Sequence, residues 1–332
     1  MRNKPKILVV GSLVMDLTTH TEKFPGSGET VLGKGFCTAP GGKGANQAVQ
    51  AARLGTDVTM VGKVGSDDFG RQLIASCKAA GIHTEKIAVD TGPSAVGNVL
   101  LEVGEHLATK NRIIVVPGAN MSITPEDIAF LKEDIARYDM VVLQQEIPMQ
   151  INELVVEYAA GKGVPVMLNP APSAMPSKKM LSRLTYISPN EHEAADLTEI
   201  PIRKNGKSAN MDDIKSSVDS LLSMGIGNVV ITMGNAGAVF ANKSSLVCRP
   251  CVDVVEVKDP TAAGDSFIGA FTTGIGIGLE PQEALDFANY TATITVSRMG
   301  AQPSLPTLKE VVALMKREHC PDFDFSCLDV LK

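Results

Sequence analysis

From residue 140 onward the chain alternates short, continuous apolar runs with longer amphipathic ones, and this rhythm restricts the fold more than any other feature. It predicts strands at 140–143, 164–168, 185–188, 228–231 and 237–241, with helices at 150–161, 178–183, 191–197 and 210–224. Strands alternating with helices build a mostly parallel sheet whose two faces are covered. Runs such as Ile-Leu-Val-Val at 7–10 suit strands buried on both sides. The expected class is α/β, a mostly parallel sheet sandwiched by helices.

The amino-terminal half departs from the rhythm twice. Residues 17–40 alternate and turn, and 95–103 with 112–116 predict a hairpin about a polar turn at 105–111. Together they predict a small antiparallel sheet beside the main one. Between them, 58–61 is a strand and 71–80 a helix stopped by Gly81. Thr124-Pro125-Glu126-Asp127 opens a helix to Arg137, with proline at its first position and acids in the first turn. Residues 246–257 look extended, with a strand at 252–257, and 268–278 predict a buried helix. The polar stretch 201–212 predicts a mobile surface loop.

Composition narrows the function. The net charge is −6 with no long basic block, so nucleic acid is not an expected partner. No apolar run reaches the roughly 18 residues of a membrane span, and Met1–Lys6 leads into a strand without a signal-like segment. A cytoplasmic location is expected. Cysteines stand at 37, 77, 248, 251, 320 and 327. Cys248 and Cys251 have zinc-like spacing, but residues three apart on a strand face opposite sides, so reduced thiols are expected.

The chemistry clusters in two glycine-rich runs and a row of strand ends. Gly11-Ser12-Leu13-Val14-Met15-Asp16 lacks the G-x-G-x-x-G spacing and the helix that dinucleotide binding needs. Pro40-Gly41-Gly42-Lys43-Gly44-Ala45-Asn46 brings bare backbone and two polar heads to a helix start, without the serine or threonine of a Walker loop. Asp259-Pro260-Thr261-Ala262-Ala263-Gly264-Asp265 opens the 268–278 helix. Unpaired N–H groups there suit an anion, and Asp265 stands either as a proton acceptor beside it or as a first-turn acid serving the helix dipole. Glu146, Asn169, Asn190, Glu193 and Thr232 follow predicted strands, on the rim where such sheets bind ligands.

These two runs, with Asn190-Glu191-His192-Glu193, Thr232-Met233-Gly234-Asn235-Ala236-Gly237 and Arg298-Met299-Gly300, resemble signatures of the ribokinase (PfkB) family of carbohydrate kinases over about residues 5–306. The resemblance implies one domain over 5–310, with a lid from 17–40 and 95–116 that closes over the sugar and pairs two subunits as a homodimer. Residues 311–332 form an extension without a counterpart. It implies ATP-dependent phosphorylation of ribose at O5, with 2-deoxyribose or a nucleoside as alternative substrate, and a non-catalytic sugar sensor as the alternative of another class. Asp265 would be the base, and the N–H groups of Ala262, Ala263 and Gly264 the anion hole. Asp16, Gly42, Lys43, Asn46 and Glu146 would bind sugar. Asn190, Thr232, Gly234, Gly237, Gly264 and Asn289 would bind ATP, and Asn190 with Glu193 would order Mg2+ and phosphates. A potassium ion would activate from among Asp259, Thr261, Thr295, Arg298, Gly300 and Ser304. Two positions depart from the family: Val14 replaces a common asparagine near the sugar, and Pro260 a hydrogen-bonding residue.

Overall fold

The computed structural model describes residues 3–102, 110–320 and 323–332. Strand β1 (Lys6–Val10) is the apolar run at 7–10, buried past its first residue. Its side chains divide by parity: Ile7 and Val9 enter one hydrophobic cluster, Leu8 and Val10 a second on the opposite face. That division is what burial on both faces requires of a strand.

Two strands then leave the main sheet, β2 (Val14–Thr21) and β3 (Gly33–Gly41), before the chain returns through α1 (Lys43–Arg53), β4 (Asp57–Gly65) and α2 (Asp68–Ala79). The edge strand β5 (His83–Asp90) has a broken apolar pattern and was not foreseeable from periodicity. Next come β6 (Ala95–Glu102) and β7 (Lys110–Val116). The turn expected at 105–111 lies mostly outside the described residues. Strands β3-β2-β6-β7 form a four-stranded sheet, two antiparallel pairs joined by a parallel pairing of β2 with β6.

The stretch 124–137 is not the continuous helix that its proline and acids predict. It winds through i→i+3 turns into α3 (Leu131–Asp134) and a 3₁₀ turn. The Asp127 carboxylate accepts from Thr124 and from Lys63 of β4, which pins the first turn to the sheet. The expected rhythm then appears: β8 (Met140–Leu143), α4 (Met149–Lys162), β9 (Val166–Leu168), α5 (Lys178–Leu181), β10 (Tyr186–Ile187) and α6 (Glu191–Thr198). The predicted loop 201–212 instead carries a hairpin, β11 (Lys204–Asn205) and β12 (Ser208–Ala209), turned at Gly206. After it follow α7 (Met211–Ser223), β13 (Asn228–Thr232), β14 (Ala238–Asn242) and β15 (Leu246–Arg249).

No strand forms at 252–257. The carbonyls of Pro250 and Val252 accept instead from Asn289 and Thr293 of the helix α9 that follows α8, so the extended chain lies on a helix and not in a ladder. Helix α8 (Ala263–Ile277) starts five residues earlier than predicted, and α9 (Pro281–Val296) and α10 (Leu308–Arg317) complete the chain's long helices.

The main sheet runs β15-β14-β13-β10-β9-β8-β1-β4-β5, parallel from β13 to β5, with β14 and β15 antiparallel at one edge. Helices α1, α2, α8, α9 and α10 cover one face and α3 to α7 the other. Leu328 and Leu331, beyond α10, are buried in the first cluster. No helix among the described residues is long and apolar enough to cross a membrane. Chain connections run outward from β1 to β4 on one side and to β8 on the other. Sheets of this kind bind ligands at the carboxyl ends of strands flanking such a reversal.

Candidate active site

Helix α8 meets α1 at Gly269, where a Cβ would stand 2.8 Å from the Gln50 Cβ and 2.9 Å from the Gln47 carbonyl. This close approach, one turn past Asp265, brings that carboxylate against two amides of α1. Asn46 Nδ2 donates to Asp265 Oδ2 at 2.8 Å, and Gln47 Nε2 donates to Oδ1 at 3.0 Å. Asp265 is only 8% exposed, so these two bonds fix a nearly enclosed carboxylate.

The start of α8 is bent to serve this position. Ala262 caps it at φ 60°, a left-handed conformation that costs an L-residue about 1–2 kcal/mol. The Ala263 N–H is taken by the Pro260 carbonyl at 3.2 Å. The N–H groups of Gly264 and Asp265 have no backbone acceptor among the described residues. A Cβ at Gly264 would meet no protein atom within 4 Å. The open space beside it belongs to a cavity of about 220 Å³ lined by Lys43, Asn169, Asn190, Glu193, Thr232 and Asp265, among others.

Three carboxylates act on one lysine here. Glu146 Oε2 accepts from Ser12 Oγ at 2.5 Å and from the Lys43 N–H at 3.0 Å, at the amino end of α1. Burial works against the Lys43 ammonium, but Asp265, Glu146 and Glu193 outweigh it and hold its pKa above the ordinary value. Burial, aided by Glu146 and Asp265, pushes the Asp16 carboxyl up to about 7. Asp16 rises from β2 between two glycines of neighbouring strands. A Cβ on Gly41 would lie 2.4 Å from its Oδ2, and one on Gly97 2.6 Å from its Oδ1. Both strands must be bare there to leave room for the acid. Val14, two residues back, is buried beside Gly97.

Asn190 and Glu193 form a capping box on α6. Asn190 Oδ1 accepts from the N–H groups of His192 and Glu193, both at 2.8 Å, and Glu193 Oε2 accepts from the Asn190 N–H at 2.8 Å. Both residues line the cavity, and among the described residues the Asn190 Nδ2 and the Glu193 Oε1 have no hydrogen-bond partner. Burial raises the Glu193 pKa, with Lys43 acting in the opposite direction. Lys204 of β11 pairs with Glu191 and donates to the Met233 carbonyl at 3.4 Å, tying the start of α6 to the turn after β13.

Gly234, Gly237 and Asn289 do not line this cavity. Gly237 and Asn289 meet around 249–251: a Cβ on Gly237 would stand 2.1 Å from the Arg249 carbonyl, and Asn289 Nδ2 donates to the Pro250 carbonyl at 3.0 Å. Asp259 joins two loops, accepting from the Thr261 N–H at 2.9 Å and the Gly300 N–H at 2.8 Å. The carbonyls of Thr261, Arg298 and Gly300 accept no hydrogen bond among the described residues. Thr295 and Ser304 are buried nearby in sequence, their hydroxyls bonded to Thr291 and Ala301 carbonyls.

Sequence reasoning passed over Gln47, Gln144 and Ser188. Ser188 lines the cavity, while Gln47 and Gln144 stand behind Asp265. Gln144 and Ser188 follow β8 and β10, the same strand-end signal that singled out Glu146 and Asn190.

A family model described as pfkB family carbohydrate kinase matches residues 4–308. The ribokinase of Bacillus subtilis is 39% identical over 316 residues, which cover 95% of this chain and all of that protein. A deoxyribokinase of Salmonella typhi is 33% identical over 306 residues, 92% of this chain and 96% of its own length. The solved structure of Arabidopsis thaliana ribokinase complexed with ribose and ATP superposes with a TM-score of 0.85 at 30% identity, covering 95% of this chain and 99% of that one.

Proposed function

The chain belongs to the pfkB family of carbohydrate kinases, and on that premise we propose that it phosphorylates ribose at O5 with ATP, using Asp265 as the base. The observation that carries this is the start of α8. A carboxylate held by two amides stands beside two N–H groups that lack acceptors, against open space.

Asp265 accepts the proton of the pentose hydroxyl as that oxygen attacks the γ-phosphorus, whose bond to the β,γ-bridging oxygen breaks as ADP leaves. The Gly264 and Asp265 N–H groups, at the positive end of α8, receive charge spreading onto the phosphoryl oxygens. Of the anion hole expected at 262–264, Gly264 keeps its place, while the Ala263 N–H is engaged by Pro260. Asp16, Glu146, Lys43 and Asn46 hold sugar hydroxyls; Asn46 keeps a buried Oδ1 without a partner for one of them. Gly42 gives the sugar a bare backbone at φ 90°. Thr232, Gly234, Gly237 and Asn289 frame the nucleotide.

A divalent ion such as Mg2+ accompanies ATP, and the donors fit it. Glu193 offers a hard carboxylate oxygen on the cavity wall, where magnesium takes one or two carboxylates and keeps waters. Asn190, its Oδ1 already satisfied, turns an N–H donor to phosphate. When bound, the metal neutralises phosphate charge. Oxygen-rich loops around Asp259 and Gly300 fit a potassium ion as activator.

A second substrate is favoured by Val14 and by the deoxyribokinase relative. An apolar wall where an amide is common suits a sugar without its 2-hydroxyl.

Asp265→Asn tests the assignment. It should lower kcat by about 10²–10⁴-fold, the share of a general base, with pentose affinity retained. Near-normal turnover in the folded variant would overturn it, and ADP release with a panel of pentoses, nucleosides and hexoses sets the substrate.

A further inference from the structure

Behind Asp265 runs a chain of buried amides, of which Asn169 lines the cavity and Gln47, Gln144 and Asn152 do not. Gln144, just past β8, donates from Nε2 to Gln47 Oε1 at 2.7 Å. Gln47 donates from Nε2 to Asp265 Oδ1 at 3.0 Å and to Asn169 Oδ1 at 3.2 Å. Asn152 of α4 donates to the Gln144 backbone carbonyl at 2.7 Å and anchors that residue. Gln47 is 1% exposed, and Gln144 and Asn152 are fully buried.

A primary amide is two-sided: turned over, it offers oxygen where it offered N–H. Gln47 turned over would set a lone pair against the carboxylate of Asp265. Its bond to Gln144 selects the other orientation, because the Gln144 Nε2 must find an acceptor. Gln144 is itself held by shape. Its Oε1 accepts no hydrogen bond and lies against the bare α-carbons of Gly11 and Gly44. A Cβ on Gly11 would stand 2.0 Å from it and one on Gly44 2.9 Å, so the glycines of both sugar-side turns make the slot for this amide. Were Gln144 reversed, two amide oxygens would face each other.

We propose that Gln47 and Gln144 are positioning residues for the phosphoryl transfer. Gln144 decides which end of the Gln47 amide faces Asp265, and Gln47 holds the Asp265 carboxylate in one orientation toward the attacking hydroxyl. The inference rests on Asp265 being the base.

Two variants remove the Gln144 donor: Gln144→Met keeps the length, and Gln144→Leu keeps a branched end without any polar hydrogen. In each, kcat per folded site should fall about tenfold or more, since misplaced reacting groups cost rate steeply. KM for pentose and for ATP should stay within about threefold, because both side chains are buried and neither lines the cavity. Gln47→Met should lower kcat at least as far. Adding Gln144→Met to it should lower kcat no further, because Gln144 acts through Gln47. Active-site titration supplies the folded fraction, so a purely structural role would show as fewer sites with unchanged kcat per site. That result, or losses that multiply in the double variant, would overturn the proposal. Turnover surviving in Asp265→Asn would instead remove the base assignment, an outcome read separately from the Gln144 series.

Discussion

The fold works against the ionisation of Asp16. An ordinary aspartate loses its proton near 3.8, but this one holds it to about 7 because it is buried and faces Glu146 and Asp265. Between those values the folded protein binds a proton that the unfolded chain has lost, so stability falls as pH rises. Without ligand the protein should therefore unfold more easily at about pH 8 than at about pH 5, and Asp16→Asn should remove that slope while weakening pentose binding. Parallel losses in parent and variant would remove Asp16 as the cause. If ionised Asp16 accepts from sugar hydroxyls, the pentose KM should fall as pH rises through about 7. Val14, two positions away, is the residue we propose to set the preference between pentoses. One neutral hydrogen bond contributes about 0.5–1.5 kcal/mol, so Val14→Asn should shift the ribose to 2-deoxyribose ratio of kcat/KM toward ribose by roughly tenfold. A parent that prefers 2-deoxyribose by about tenfold or more would make that sugar the substrate.

Among the elements, the loops joined by Asp259 have a part that stays outside the reaction. Its two oxygens tie Thr261, at the approach to α8, to Gly300, after α9. A cation held by carbonyls of these loops, as proposed, would stiffen the turn that presents the Gly264 N–H. Replacing potassium by a large organic cation at equal ionic strength should lower kcat and barely change the pentose KM; unchanged rates would dismiss the site. Which elements could be read from the sequence follows from what forms them. Buried strands such as β1 and β8 declare themselves by continuous apolar runs, and Asp265 and Asn46 by glycine-rich turns before helices. Where side chains from distant segments decide the backbone, the signal vanishes. Asp127 bound to Lys63 turns a predicted helix into tight turns, and Asn289 and Thr293 hold a predicted strand on a helix. Gln144 carries no local signal beyond its place after a strand, because its purpose lies in partners on α1.

At the scale of the molecule, the four-stranded lid leaves β7 as an open edge. Ile113, Ile114, Val115 and Val116 are 54%, 67%, 52% and 45% exposed, apolar on both faces of one strand. Such an edge invites pairing, and a second copy of the lid would cover it. Ile114→Lys should shift the protein toward monomer in sedimentation and raise the pentose KM, because the lid carries Asp16. A parent already monomeric at assay concentrations would end the dimer proposal.

The bond between Asn46 and Asp265 spans 219 residues of chain. A ribosome adding about 5–20 residues each second leaves roughly 10–45 s between the emergence of α1 and that of α8. During that interval the nascent chain exposes the Asn46, Gln47 and Gln50 face of α1, with its amides bonded to water. With Asp265 as the proposed base, no interrupted product that stops short of residue 265 would turn over ATP. The turn proposed to hold the sugar is made early, and the group proposed to make it reactive is made late.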